Sequence, residues 1–401
     1  MDGVVKKSGR RVQESDLGIR KNQAMIVEGG KIQWIGSNKK IPKKLGERST
    51  NKARSFDLNS KTVLPGFVEC HTHSVFAGDR SAEFEMRNLG VPYQEIAAKG
   101  GGILHSMRKT RQAPEAELTR LTQSRVDQFT KQGVTTLEIK SGYALNLKDE
   151  LKSLRVAAAM RGPRIVPTFL GAHAKPPEFL DTKEYLDFLQ FKVLPKLKKS
   201  NLSERVDIFI EKGFFPVDEA RQFLQSALEQ GFDVTIHADQ LSLCGGTDLA
   251  VEIGALSADH VIQLGDSQIS KLAKSETVAV LLPMADLYMK CAYPPARKLI
   301  DAGACVAIAT DFNPGTCPSQ DLALTGLLAR LEMKMSLPEV IAAYTWNAAK
   351  ALKLETQVGF LATGTGADFI SIESDWNQLF YSAGNLPIST VHREGREIWA
   401  K

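Results

Sequence analysis

The chain has 401 residues, 43% hydrophobic and 24% charged, enough apolar material for one large domain plus an accessory one. Its net charge of +5 is too mild to mark a nucleic-acid protein, and the lysine runs at 38–44 and 192–199 carry no interleaved aromatics, so they read as solvated faces. No apolar run approaches the ~20 residues of a membrane span, and the polar, basic start lacks the apolar core of a signal peptide. The five cysteines are scattered, odd in number and without a CxxC pair, which predicts reduced thiols in a soluble cytoplasmic protein.

Residues 1 to about 62 read as short strands. Residues 24–36 give a strand, the Gly29-Gly30 turn and an alternating strand, a hairpin pattern. The β-branched run at 63–68 then leads into Glu69-Cys70-His71-Thr72-His73. Side chains at i and i+2 of a strand point the same way, so His71 and His73 can grip one ion while Cys70 and Thr72 face away. Further apolar runs follow at 134–141, 165–173, 206–211, 233–239, 255–260, 278–283 and 305–311, making eight with 68–73. Between them lie amphipathic segments such as 115–132 and 217–230, of helical length and period. Eight strand–helix alternations predict an α/β fold, a parallel (β/α)8 barrel of TIM type with its active site where the strands end. From about Gly359 the strand character of the N-terminal segment returns. We expect a barrel over 65–358 and a small flanking β-sandwich domain built from 1–64 and 359–401.

Of the seven histidines, five stand at expected strand ends: His71, His73, His173, His237 and His260. Singly, each reads as a buried imidazole bonded to backbone; jointly they point to a metal. His71, His73 and His237 with Asp311 make an N3O set suited to one zinc or iron ion, with a position left for water. Such an ion lowers the pKa of water from ~15.7 towards ~7, giving hydroxide at neutral pH. Asp311 is then the natural proton carrier, and His260 can orient the hydroxide or polarise a carbonyl, which implies hydrolysis or deamination at a trigonal carbon. Arg80 offers a planar fork for a carboxylate, Tyr143 a hydroxyl over the pocket, and Asn313-Pro314-Gly315-Thr316 backbone amides and a hydroxyl for a polar substrate end. Cys317 reads as a spectator, and His105 and His392 as structural or surface residues. Lys140 raises the bridging lysine of two-metal sites, but the sequence offers no clear second ligand set.

These motifs together resemble the amidohydrolase superfamily: Pro65-Gly66-Phe67-Val68-Glu69-Cys70-His71-Thr72-His73, Ile236-His237-Ala238-Asp239, Ser257-Ala258-Asp259-His260 and Ala309-Thr310-Asp311. Phe76-Ala77-Gly78-Asp79-Arg80, Gly100-Gly101-Gly102-Ile103, Glu138-Ile139-Lys140-Ser141-Gly142-Tyr143 and Thr310-Asp311-Phe312-Asn313-Pro314-Gly315-Thr316 carry the likeness across most of the barrel. The resemblance implies one zinc or iron on His71, His73, His237 and Asp311, and hydrolysis of a ring C–N bond in a small acidic cyclic amide. It further implies substrate contacts from Arg80, Tyr143, His173, Gln240, Asn313, Gly315 and Thr316, with Tyr93 as an added contact, and a homodimer. Some relatives carry glutamate at the place of Gln240. An amide cannot act as a base, so proton transfer falls to Asp311 and His260. A purine or pyrimidine deaminase would share the metal set but has no need of Arg80 on a carboxylate; a non-catalytic relative would have lost ligands that this chain keeps.

Overall fold

The structure is a computed structural model that describes residues 1–42, 55–59, 61–91, 95 and 101–401. Its central sheet has eight parallel strands in sequential order: β4 (Phe67–Glu69), β5 (Val134–Lys140), β6 (Arg164–Ala172), β7 (Arg205–Ile210), β8 (Asp233–Ala238), β9 (Ser257–His260), β10 (Val278–Leu281) and β11 (Val306–Ile308). The seam between β4 and β11 is closed just beyond the strands. Asp311 N–H donates to the His71 carbonyl (3.2 Å), His73 N–H donates to the Phe312 carbonyl (2.8 Å), and Thr72 bridges Phe312. Positions that alternate with the inward-facing ones and lie under the helices, such as Leu137, Ile139, Ile208 and Ile236, are fully buried, as a barrel covered by helices on its outside requires. The helices expected at 115–132 and 217–230 run Glu115–Lys131 and Val217–Glu229.

Two antiparallel sheets flank the barrel. The hairpin β1 (Gln23–Glu28) and β2 (Lys31–Ser37) forms one. The other has four strands in the order β14 (Arg396–Ala400), β13 (Ile388–Arg393), β12 (Phe369–Ile372) and β3 (Thr62–Pro65), so a segment from each chain end shares it. The hairpin is tied to the C-terminal segment by Ile32 N–H donating to Thr365 O (2.9 Å) and Gly364 N–H donating to Ile32 O (2.8 Å).

Two features depart from the sequence reading. The run at 63–68 is not one strand: it breaks at Gly66, with β3 in the flanking sheet and β4 in the barrel. A Cβ at Gly66 would lie 2.1 Å from Thr135 Oγ1, so only glycine lets the chain cross there. The first residues are also not strands. Asp2–Lys6 is helical and Glu14–Leu17 a 3-10 turn, and the segment between them lies on the barrel. Arg10 donates to the carbonyls of Ala273 (2.6 Å), Ser275 (2.5 Å) and Gly303 (2.8 Å), and Arg11 to those of Asp301 (3.1 Å) and Ala302 (2.9 Å). Both arginines thus satisfy the open carbonyl ends of helices Asp266–Lys274 and Ala296–Ala302, where a cation is favoured. Such long-range capping leaves no local periodicity to read.

The lysines of 192–199 sit exposed on one side of their helical segment while Val193, Leu194 and Leu197 are buried, a solvated face as expected. Lys43 and Lys44 of the other run lie outside the described residues. All five cysteines are free thiols. Among the described residues, no helix is long and apolar enough to cross a membrane.

Candidate active site

The polar ends of the strands meet at one mouth of the barrel. His71 and His73 lie on the extended segment after β4, His237 on β8, and Asp311 just after β11. Asp311 and His260 both leave their strands in the left-handed region, at φ +55° and +74°. For non-glycine residues this conformation is sparsely populated, and it is held here by the packing around fully enclosed side chains.

Four donor atoms converge. Asp311 Oδ1 lies 3.4 Å from His71 Nε2 and 3.3 Å from His73 Nε2, and His73 Nε2 lies 3.4 Å from His237 Nε2. A tetrahedral ion with bonds of ~2.1 Å needs its donors ~3.4 Å apart; these three spacings match, and the ligand atoms of His71, His73 and His237 all lie within 4.8 Å of one another. The protonation pattern agrees. His71 Nδ1 is 2.6 Å from Asp259 Oδ2, and His237 Nδ1 is 3.1 Å from Asp207 Oδ1. Each Nδ1 therefore carries the proton, and each Nε2 presents a lone pair. The buried His71 Nε2 has no hydrogen-bond partner. The lone pairs of these two imidazoles and a carboxylate oxygen facing one another repel unless a cation lies among them. The residues present fit a metal ion.

The carboxylates behind the histidines share a cation. Lys140 Nζ lies 2.8 Å from Asp207 Oδ2, 2.9 Å from Glu138 Oε1 and 3.8 Å from Asp259 Oδ2, all of them buried. Burial alone would lower the lysine's pKa, but Asp207 and Glu138 outweigh it and hold the ammonium well above its usual range. Glu69 pins the seam by accepting from Thr310 N–H (3.1 Å) and His71 N–H (3.3 Å). Burial pushes its carboxyl up to about 8.

His260 completes the floor, its ring 5.6 Å from that of His71 and 5.3 Å from that of His237. Burial drives its pKa down to about 4 against the pull of the Asp311 carboxylate, so the ring is neutral at pH 7. His173 stacks on His73 (centroids 5.1 Å apart) and donates from Nδ1 to the Gly142 carbonyl (3.0 Å), which leaves Nε2 as an acceptor. The Tyr143 ring lies 5.2 Å from His173 and 5.9 Å from His73. Arg80 is buried, with Nε 3.3 Å from Glu83, and its guanidinium rests on Gly315, where any Cβ would collide with it. Gln240 is buried, with its amide 3.6 Å from Met289 Sδ. Asn313 differs in character from the others. Its Oδ1 accepts from the amides of Gly315 (2.8 Å) and Thr316 (2.7 Å), and its Nδ2 donates to Asp311 O (2.7 Å) and Thr316 Oγ1 (2.9 Å). Its side chain is committed to closing its own loop behind Asp311.

Tyr93 lies outside the described residues. Cys317 is buried with its thiol on Thr310 O (3.2 Å). His392 stacks on Phe369 in the flanking sheet (4.3 Å), away from the mouth. Sequence reasoning passed over Glu69, Glu138, Asp207 and Asp259 and set Lys140 aside. A usable signal was present: Glu138 and Asp207 each interrupt an apolar strand at a position that must be buried, and a buried charge needs a partner.

A parallel eight-stranded barrel with two histidines after its first strand, one on the fifth and an aspartate after the eighth defines a class of metal-dependent hydrolases. A family model described as the Amidohydrolase family matches residues 62–398, and the chain belongs to that family. Over its full length it is similar to imidazolonepropionases. It is 56% identical across 399 residues to that of Bdellovibrio bacteriovorus, covering 100% of this chain and 94% of the relative. It is 40% identical across 387 residues to that of Fusobacterium nucleatum, covering 96% and 93%. Among solved structures, an adenosine deaminase from Xanthomonas campestris with bound zinc superposes at a TM-score of 0.69. That match covers 94% of this chain and 88% of the other at 16% identity, a likeness of fold alone.

Proposed function

We propose that the protein hydrolyses the ring C–N bond of 4-imidazolone-5-propanoate to give N-formimidoyl-L-glutamate in histidine catabolism. The observation that carries this reading is the 56% identity to an imidazolonepropionase over the whole chain. The convergent donor set supports it.

His71, His73, His237 and Asp311 would hold one ion, and the mix of imidazoles and a carboxylate suits zinc or iron. When bound, the ion supplies Lewis-acid chemistry, lowering the pKa of water from ~15.7 towards ~7 and polarising a carbonyl. Asp311 faces His71 and His73 through Oδ1, which leaves Oδ2 to take a proton from the attacking water and pass it to the departing ring nitrogen. His260, neutral at pH 7, donates one N–H to the oxyanion that develops on the lactam oxygen. His173 Nε2 accepts a ring N–H of the substrate, and Tyr143 walls the ring. Arg80 takes the propanoate, with Gly315 leaving the guanidinium room. Gln240 orients the ring by its amide and carries no proton. Thr316 and the Gly315 backbone line the pocket beside Arg80, while Asn313 acts by holding their loop in shape. The same reading places the enzyme in the cytoplasm, acting on a small molecule as a homodimer. Sedimentation at two concentrations checks the dimer.

The test of the reaction is spectroscopic. Imidazolonepropanoate decays when enzyme is added, and formimidoylglutamate accumulates in equal amount. A purified protein that carries one metal ion per chain and leaves the compound untouched overturns the substrate assignment.

A further inference from the structure

We propose that Lys140 is a positioning residue for the metal centre. Its ammonium is a fixed cation that holds Asp207 and Asp259 where they orient His237 and His71, and it occupies the place a second metal ion would take. The inference rests on the proposed metal site and concerns residues that lie behind it.

The geometry has two layers. The first is the donor set of His71, His73, His237 and Asp311. The second is a group of possible ligand atoms on Asp207, His237 and Asp259, which also lie within 4.8 Å of one another. By donor chemistry alone this second group is a candidate for another ion. It is already served by a cation, since Lys140 Nζ is 2.8 Å from Asp207 Oδ2, 3.8 Å from Asp259 Oδ2 and 2.9 Å from Glu138 Oε1. Lys140 itself is 1% exposed, so the ammonium has no access to water as an alternative partner.

Each carboxylate thus has two tasks. Asp207 accepts from His237 Nδ1 through Oδ1 and faces the lysine through Oδ2. Asp259 uses Oδ2 for both His71 Nδ1 and the lysine. Without the ammonium, three buried carboxylates would face one another within a few ångströms. Mutual repulsion would turn the aspartates away from the histidines, and an imidazole without its carboxylate partner no longer has its Nδ1–H tautomer fixed. One lysine therefore controls two of the four donors. The arrangement also favours one ion over two: a second dication would have to displace a buried ammonium from its three counter-charges.

Metal titration of the metal-free protein tests this. Lys140→Met keeps the length and removes the charge. We expect zinc affinity to fall by about 10- to 100-fold, the range seen when partners behind metal ligands are lost. The 15N spectra of histidine-labelled, metal-free protein should show mixed tautomers at two imidazoles that are single Nδ1–H forms in the parent. In Lys140→Ala, propylammonium should restore affinity by refilling the cavity with a cation, whereas butane-sized neutral alcohols should not. Should Lys140→Met fail to fold, Lys140→Ala purified with propylammonium and then dialysed gives the same comparison. Parent-like zinc affinity and tautomers in a folded Lys140→Met, or an affinity indifferent to the amine, overturn the proposal. A parent protein that itself binds no metal would overturn the metal site instead, so the two failures are distinct.

Discussion

Asp311 joins the seam of the barrel to its chemistry. Its N–H closes β4 against β11 and its carboxylate faces two histidines. Asp311→Asn keeps the backbone bond and the volume but removes the proton acceptor. Turnover should fall by about 10²- to 10⁴-fold, the usual contribution of general acid–base catalysis, with the circular dichroism spectrum unchanged; an active variant would remove the proton-carrier role. Arg80 makes a different prediction. A hydrogen bond to a charged group contributes ~1.5–3 kcal/mol, so Arg80→Ala should raise KM by roughly 10- to 100-fold while metal content stays at the parent level. An unchanged KM would take Arg80 out of the pocket. At this scale the sequence was informative where chemistry is concentrated in rare residues. Five of seven histidines at strand ends pointed to one place. The carboxylates behind them are legible only as charges at buried positions; which residues pair with Asp207 and Glu138 emerges only once the barrel gathers β5, β7 and β8 around one centre.

Elements were readable wherever a period repeated. The eight barrel strands and the two long helices fall within a few residues of their expected bounds. What could not be read is where contact, and not pattern, decides. The break at Gly66 depends on Thr135, 69 positions on, and Gly66→Ala would force its Cβ onto that side chain. Overpacking of this kind costs ~1–3 kcal/mol, so the variant should melt several degrees lower; an unchanged melting temperature would show that Thr135 yields freely. In the flanking sheet, burial lowers the pKa of His392 from 6.5, with Glu397 opposing in part. The folded sheet thus favours the neutral ring. Its contribution is fully present above pH 6.5 and is lost as pH falls from there through the lower folded value, because the unfolded chain takes up a proton that the fold declines. Replacing His392 by Gln should therefore reduce the stability lost between pH 7.5 and 5.5, measured by urea denaturation. An equal loss in both proteins would assign the acid sensitivity elsewhere.

For the whole molecule, the barrel brings residues from the first to sixth and the eighth strands to one centre, and a metal ion held there would couple their stability. Any ion that binds only the folded state stabilises it by RT ln(1 + [L]/Kd), about 2.7 kcal/mol at a free concentration of 100 Kd. Chelation should accordingly lower the melting temperature, and add-back of zinc or iron(II) should restore it. Fold, ion and substrate are tested together by following turnover with the metal removed and restored. Imidazolonepropanoate is unstable, so it is generated in place from urocanate, and its hydrolysis is followed with enzyme as purified, after chelation, and after metal add-back. Formimidoylglutamate should form in the first and third cases and not in the second. Turnover that survives complete removal of the metal would contradict metal-dependent hydrolysis.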